Sequence, residues 1–375
     1  MSGPLAGIRL IEVGHMLMGP YCGMLLADLG AELIKVEPAE GDIARSIGPN
    51  RVGRHNTYFA SLNRNKKSVV LDLASEEGQA GLGALAATAR GLITNLRPSA
   101  IKKLGLTYDR MKRWNEKIVC VAITGYGLEG PYADRPAYDY AIQALTGIMA
   151  LTGEPSGPPT KAGFSIVDNS TAIMAAVGLL AKLVEGAGGQ VDVAMYDAVL
   201  SQLNYLAGAW LNAGESAKRY AHSAHPYIVP AQIFRTQDGW VTLFISHDGF
   251  WRVFCNEIDR PQWIVDPKFA TMPGRFANRD EVLGAVAAVL AGATTRQWLD
   301  RLMPLGLVIA EIETLEGALG SANAAARGMV ADIPMDDGLL RVVGNPIKNL
   351  GVVATYEEPP LLGEHNHLAR PGGPA

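Results

Sequence analysis

The sequence predicts an α/β protein in which a Rossmann-like parallel-sheet domain is joined to a smaller α/β domain. Three observations carry this. Apolar runs of strand length alternate with helix-length patterns from Ile8 to Asn212, the signature of βαβ units and a parallel sheet. After Gly214 the texture changes, and Pro226, Pro230 and the turn Thr236-Gln237-Asp238-Gly239 break the chain before the strand Trp240–Phe244. Finally, 375 residues, 48% of them hydrophobic and 19% charged, suffice for two domains whose cores need neither disulfide nor metal.

Ile8–Val13 reads as the first strand, Gly14–Gly19 as a loop, and Pro20 as a residue tolerated in the first turn of a helix. That helix, YCGMLLADLG, ends at Gly30 in a left-handed cap. Ala31–Val36 is the second strand, reached by a right-handed crossover. Glu37 to Asn65 lacks periodicity and is rich in Gly and Arg, which predicts a long functional loop or short helical pieces. Ser68–Leu73 resumes the strand pattern, and Ser75-Glu76-Glu77 opens a helix running to about Arg90. Leu92-Ile93-Thr94 and Ile118–Thr124 are further strands, and a ligand in such a sheet sits at the carboxyl ends. Small and apolar residues predict a closely packed helix over Ser170–Val184. Gly188-Gly189-Gln190 then turns into the strand Val191–Ala194, and a helix spans Asp197 to Asn212. Beyond the break, Arg279–Ala291 and Thr295–Met303 are helical, and Met329–Leu350 is strand-like. The expected domains are 1–222 (large), 223–321 (small) and 322–375, which returns to the large one and ends in a Pro- and Gly-rich tail from Glu357.

The net charge of −4 argues against a nucleic-acid partner, so an anionic ligand needs a local basic patch. Cys22, Cys120 and Cys255 are far apart and odd in number, which fits a reducing compartment without a disulfide framework. The opening MSGPLAGIRLIEV lacks the regions of a signal peptide, and no window reads as a membrane span, so the expected location is the cytoplasm. His222 with His225, and His365 with His367, lack a third ligand on a clear helix, so no metal is expected. Neither a G-x-S-x-G elbow nor a P-loop occurs. Gly125-Tyr126-Gly127-Leu128-Glu129-Gly130 matches G-x-G-x-x-G after a strand, but Pro136 would break the helix that must follow. It reads as a Gly-rich turn. Lys35, Arg45, Arg64, Lys66, Lys67, Arg97, Lys102 and Lys103 fall in the first domain, several just after strand ends. Singly each is a solvated charge; with the loops Gly14–Pro20 and Asn95–Ser99 they predict a nucleotide-like, phosphate-bearing ligand.

One stretch, Ala137–Ala172, gathers the chemical candidates. It holds Tyr138-Asp139, a run rich in Gly, Pro and Thr, and a lone acid, Asp168, between the apolar triplet Ser165-Ile166-Val167 and the helix from Ser170. At a strand-to-helix turn such an acid is either an N-cap or a carboxylate held for chemistry. The two roles are compatible, because a helix N-terminus stabilises an ionised carboxylate by about 0.3–1 kcal/mol. The residues alone leave both open.

Taken together, the chain resembles the class III CoA-transferases, the family related to carnitine and formyl-CoA transferases. The resemblance runs nearly end to end, through LIEVGHMLMGPYCGMLLADLGAELIKVEPAEGDIAR, LNRNKKSVVLDL, ITNLRPSAIKKLGL, ITGYGLEGPYADRPAYDYAIQALTGIMALTG, GGQVDVAMYDAVLS and the late PLLGEH. It implies that Asp168 is the nucleophile of a CoA transfer from an acyl-CoA donor to a carboxylic acid, through an aspartyl-CoA thioester. It implies no metal and no tightly bound cofactor, the CoA thioester being a substrate. Tyr138 would line the thioester with Asp139 beside it, and Leu17, Lys35, Asn95, Arg97 and Lys103 would fall on segments that wrap CoA. A homodimer of interlocked subunits, with a large domain built from both chain ends, is implied as well. The racemase branch of the superfamily is the rival reading. It needs a His-Asp dipeptide where this chain has Tyr138-Asp139, and without an imidazole the proton exchange loses a partner of suitable pKa. An acyl-CoA-binding protein without turnover is a third. Relatives that use oxalate or formate carry a run of glycines as a lid. None lies between His225 and Trp251, and Leu17 stands where they can carry a polar residue. From the range of acids the family uses, the resemblance implies a short dicarboxylate or a branched acid as the acceptor.

Overall fold

A computed structural model of the chain describes residues 3–350 and 355–370, so the far end of the predicted tail, 371–375, lies outside the described residues. The chain divides into two compact units, one formed by 1–147, 162–213 and 321–375 and the other by 148–161 and 214–320. The grouping of 148–161 with the second unit has no counterpart in the sequence reading.

The first unit is built on six parallel strands, β1 (Arg9–Val13), β2 (Glu32–Glu37), β3 (Lys66–Val70), β4 (Gly91–Thr94), β5 (Val119–Thr124) and β6 (Gly189–Ala194). Their spatial order is β3-β2-β1-β4-β5-β6. This is the doubly wound order, whose direction reverses between β1 and β4 and opens a crevice at the carboxyl ends of those strands. Helices cover both faces. Alternation along the strands turns Ile11, Val36 and Cys120 to one face, where Leu82 and Leu85 of α3 (Glu76–Thr88) pack. Leu10 and Leu33 turn to the other, under α1 (Met18–Asp28) and α6 (Ile166–Glu185). At Gly23 a Cβ would stand 2.7 Å from the Leu33 side chain, so glycine lets α1 lie directly on the sheet. The first unit also holds α2 (Thr57–Asn63), α4 (Pro98–Lys103), α5 (Asp139–Leu145), α7 (Met195–Gln202) and α8 (Asn204–Ala213).

Local chemistry explains most of the ends. Ser75 caps α3 by accepting from the Gly78 amide, with Glu76 and Glu77 in the first turn. Gly30, at φ +99°, turns the chain from α1 into β2. Four expectations need correction. Ser165-Ile166-Val167 is not a strand, since α6 starts at Ile166 and Val167 is its first buried contact. The predicted helix 197–212 breaks at Asn204 (φ +20°) into α7 and α8. β3 starts and ends earlier than Ser68–Leu73, because its free edge pairs with the chain's C-terminal segment. There the His365 amide bonds Ser68 O at 2.8 Å and the Val70 amide bonds Asn366 Oδ1 at 2.7 Å. Finally, α6, at 20 residues and mean hydropathy 1.4, is long and apolar enough to cross a membrane, which no window of the sequence was expected to be. It packs on β5 and β6 and buries Ala172, Ala175, Ala176 and Leu179, while Ile173, Val177 and Val184 on its other side are exposed.

The second unit holds an antiparallel sheet of β7 (Ala231–Arg235), β8 (Trp240–Phe244) and β9 (Val308–Glu311), in the order β9-β8-β7. The unit's longer helices are α9 (Asp248–Glu257), α10 (Arg279–Leu290) and α11 (Thr295–Leu302). Phe234, Leu243, Trp251, Phe254, Val286 and Trp298 form its core. The hairpin β10 (Val330–Met335) and β11 (Gly338–Val343) returns to the first unit.

Candidate active site

The crevice at the strand ends is shaped by a fully buried charge network. Register makes Glu12 on β1 and Lys35 on β2 direct neighbours, on the face beneath α1. The Lys35 ammonium lies 2.7 Å from Glu12 Oε1, 2.9 Å from Asp42 Oδ2 and 3.0 Å from Gly14 O. Lys66 takes the other Glu12 oxygen at 2.7 Å, together with Pro20 O at 2.8 Å and Asn63 Oδ1 at 2.9 Å. Asp42 in turn accepts the amides of Met16 at 3.0 Å and Ala44 at 2.9 Å. Glu12 therefore ties two lysines together, and Asp42 anchors the loops after β1 and β2. Burial lowers the Lys66 ammonium to about 8 despite Glu12, whereas Glu12 and Asp42 outweigh burial at Lys35 and raise it.

Two predicted ligand contacts are thereby corrected. Lys35 has no exposure and three oxygens around its ammonium, so it supports the crevice from below and does not reach into it. Asn95 accepts the His15 amide at 3.0 Å and donates to His15 O at 2.9 Å, so its amide clamps the first loop. A Cβ at Gly14 or Gly19 would stand 2.5 or 2.8 Å from Asn95 Oδ1, which is why glycine stands at both positions.

Above this floor is a pocket of about 470 Å³, lined by Val13, His15, Val36, Leu71, Leu73, Leu96 and Leu104 among others. Its size and apolar walls suit a cofactor-sized ligand. A second cavity of about 420 Å³ shares Leu73, Ala74 and Leu104 with it and is lined by Lys102, Lys103 and Arg110. All three cations are exposed, as is Arg97 at the N-cap of α4. Arg110 carried no sequence signal, because it lies in the short helix Tyr108–Met111, just past the end of the ITNLRPSAIKKLGL stretch.

Asp168 lies in the first turn of α6, and its side chain does not cap the helix; Ser165 is the N-cap and makes no side-chain cap bond either. The cap comes from elsewhere. Asp139 Oδ2 accepts the amide of Val167 at 2.8 Å and that of Asp168 at 3.3 Å. Its other oxygen takes Gln143 Nε2 at 2.6 Å, and Gln143 Oε1 takes the Ala162 amide at 2.9 Å. Asp139 is thus buried under α6 rather than open to a ligand. The spacing of Asp139 and Gln143, four apart on one helix face, was the one available sign of this pairing.

The expectation that the helix end keeps Asp168 ionised is overturned. Burial first, and the Asp139 charge second, push the Asp168 carboxyl up to about 7. Tyr58 on α2 stands between the two clusters, its phenol raised by burial and by the charges of Asp168 and Asp42. Nothing in the sequence marked it. Tyr138, at the N-cap of α5, is 65% exposed, and Leu17, at the N-cap of α1, is half-buried in the first loop. Among the described residues, no group of three or more His, Cys, Asp or Glu gathers as metal ligands would.

A carboxyl raised in the folded protein holds its proton longer than in the unfolded chain, so stability falls as pH rises from about 4 to about 7 and stays lower above that. Asp168→Asn should consequently be more stable than the parent at pH 8 but not at pH 4. A gain of about 1–2 kcal/mol is expected, discounted because the site is partly open to solvent. Urea midpoints at the two pH values measure it, and equal differences at both would show that the carboxyl is not strained by ionisation.

The pattern of CoA-transferase family III matches residues 5–366. The chain belongs to this family. CoA transfer is therefore its reaction class. It is similar to the succinate–glutarate CoA-transferase of Agrobacterium fabrum, 35% identical over 96% of this chain and 94% of that protein. It is also similar to the acetyl-CoA:oxalate CoA-transferase of Acetobacter aceti, 32% identical over 98% of this chain and 95% of the other. Among crystal structures, a CAIB/BAIF family protein from Brucella suis matches with a TM-score of 0.83 at 32% identity, over 98% of each chain. An aspartate-to-alanine mutant of Rv3272 from Mycobacterium tuberculosis matches with a TM-score of 0.88 at 29% identity, again over 98% of each. In this CoA-transferase the Gly125–Gly130 run is a turn without a following helix; the next helix is α5, at Asp139. The Gly127 amide bonds Thr124 Oγ1 and the Leu128 amide bonds Asp192 Oδ2, so the run closes the end of β5 instead of cradling a pyrophosphate.

Proposed function

We propose that this CoA-transferase moves CoA from an acyl-CoA donor to a short dicarboxylic or branched acid, with Asp168 as the covalent nucleophile. One observation carries the reading. Among the described residues around the crevice, the Asp168 carboxyl is partly buried yet engaged in no side-chain hydrogen bond or ion pair, while Glu12, Asp42 and Asp139 are all taken up by structure. Ionised, it attacks the thioester carbonyl and expels CoA thiolate, leaving a mixed anhydride. The thiolate then attacks the aspartyl carbonyl and releases the donor acid as its carboxylate, which leaves an aspartyl-CoA thioester. The acceptor carboxylate repeats the two steps in reverse, giving the new acyl-CoA and free Asp168. Covalent catalysis of this kind divides one difficult exchange into easier steps.

The acyl-CoA would lie along the crevice, its adenosine in the apolar pocket and its phosphates toward Lys103, Lys102, Arg110 and Arg97. Tyr138 and Leu17 would border the thioester. Relatives named for glutarate, mesaconate and citramalate support a dicarboxylate acceptor. The absent run of glycines and Leu17 weigh against oxalate, although one relative is named for it. Assembly of two copies belongs to the same reading. It is supported by α8, which buries no residue and exposes Tyr205, Trp210 and Leu211. The three cysteines are free and buried, which supports a cytoplasmic location. A racemase is disfavoured by Tyr138, which puts no imidazole next to Asp139.

A matrix of acyl-CoA donors against carboxylic acids, read by mass spectrometry, tests the proposal. CoA exchange with a dicarboxylate acceptor is expected, and hydroxylamine added with acyl-CoA should leave a hydroxamate on Asp168. Exchange of the α-proton without CoA transfer, or a hydroxamate elsewhere, would overturn it.

A further inference from the structure

We infer that Asp139 is a positioning residue for Asp168, because it caps from outside the helix that carries Asp168 and so denies the helix amides to the Asp168 carboxylate. The inference rests on the reading of Asp168 as the nucleophile.

The first amides of a helix have no partner within it and make a ready site for an anion. An acid in the first turn of α6 would ordinarily share in that stabilisation. Here the amides of Val167 and Asp168 itself point to Asp139 Oδ2, whose owner sits 28 and 29 residues earlier in the chain. Asp139 cannot turn away, since Gln143 holds its second oxygen and the Ala162 amide holds Gln143 in the matching orientation. Ala162, Gln143, Asp139 and Val167 therefore form one closed chain of hydrogen bonds around the start of α6. Two effects on Asp168 follow. Its backbone is held at one angle to the crevice. Its carboxylate is left unsolvated by the helix and beside a like charge, so it stays basic, and a more basic carboxylate is the better nucleophile toward a thioester. The ionisable groups acting on Asp168 from the elements packed around it are Asp139 on α5 and the Tyr58 phenol on α2.

Three variants separate positioning from mere support. Asp139→Ala should raise deuterium uptake in the peptide around Val167 and Asp168. It should also lower kcat on the order of 10- to 100-fold, the cost of misplacing a reacting group by about 1 Å. The KM for acyl-CoA should hold, because the pocket lined by Leu71 and Leu104 is untouched. Asp139→Asn keeps the size of the side chain and one acceptor oxygen for the Val167 amide, while it removes the charge and the bond to Gln143 Nε2. In it, carbodiimide labelling of Asp168, followed by mass spectrometry against pH, should show a midpoint lower by about one unit. Asp139→Glu, which restores the charge, should recover part of kcat and the parent midpoint. An unchanged labelling midpoint in Asp139→Asn, or parent kcat and uptake in Asp139→Ala, would overturn the inference. The asparagine variant decides it if the alanine variant fails to fold. The labelling midpoint and the deuterium uptake do not depend on turnover. CoA exchange by Asp168→Ala with the labelling results as expected would remove the nucleophile reading and with it the catalytic meaning of the cap.

Discussion

Asp168→Ala is expected to lower CoA exchange on the order of 10⁴-fold or more, the scale seen when a covalent nucleophile is removed. The variant should fold at least as well as the parent. Asp168 contributes no side-chain hydrogen bond to the site, and the cap on α6 belongs to Asp139, so nothing structural leaves with its carboxyl. Binding of acyl-CoA should survive, because the apolar pocket and its rim of Lys102, Lys103 and Arg110 are built from other elements. Calorimetric titration with a non-transferable CoA thioether, beside the mass-spectrometric exchange assay, separates the two. In the parent, kcat/KM should rise with pH toward a limb near 7, where the carboxyl loses its proton in the free protein. Near-parent exchange by the alanine variant would move the nucleophile elsewhere.

Glu12→Gln is expected to cost about 3–5 kcal/mol of folding stability, the range for a buried ion pair that loses one partner. Both oxygens of Glu12 are in use, one on each of two lysines that have almost no exposure. With the charge gone, Asp42 is left as the bonded partner of Lys35, with Glu37 acting at longer range, and nothing anionic bonds Lys66. The deficit should shrink as pH rises toward 8, because without Glu12 the Lys66 ammonium gives up its proton below the parent's value of about 8, and it should level off above that, where both proteins hold a neutral amine. Denaturant midpoints from pH 6 to 9 measure it. A loss that stays constant over that range would mean that shape, not charge, is what Glu12 supplies. The double variant Glu12→Gln, Lys66→Met should recover part of the loss, since apolar replacement removes the stranded ammonium.

Most of the framework was legible along the chain because its signals are local. Strand-length apolar runs marked β1, β2, β4, β5 and β6, and Ser75-Glu76-Glu77 marked the start of α3. The βαβ unit from Ile8 to Val36 implied parallel pairing, which the register of β1 on β2 bears out. The end-to-end motifs were enough to name the family. The limits of β3 were misjudged because its partners, β2 and the C-terminal segment, lie elsewhere in the chain, and the start of α6 for a local reason. An apolar triplet reads alike in a strand and in a buried helix turn, and only its partners tell them apart.

The sequence alone determined the fold class, the family and the candidate acid, because periodicity, turn residues and motif order are properties of neighbours in the chain. Tertiary structure alone decided what each polar residue does. Lys35 and Asn95 looked like ligand contacts until their partners, Glu12 at 23 residues and His15 at 80 residues along the chain, were seen to occupy them. Asp139 looked like a ligand contact and proved to be the cap. Asp168 read equally as a cap or as a carboxylate held for chemistry, and its side chain makes no cap bond. Burial and the charge of a residue 29 positions away set its proton affinity, and neither is written in the residues beside it.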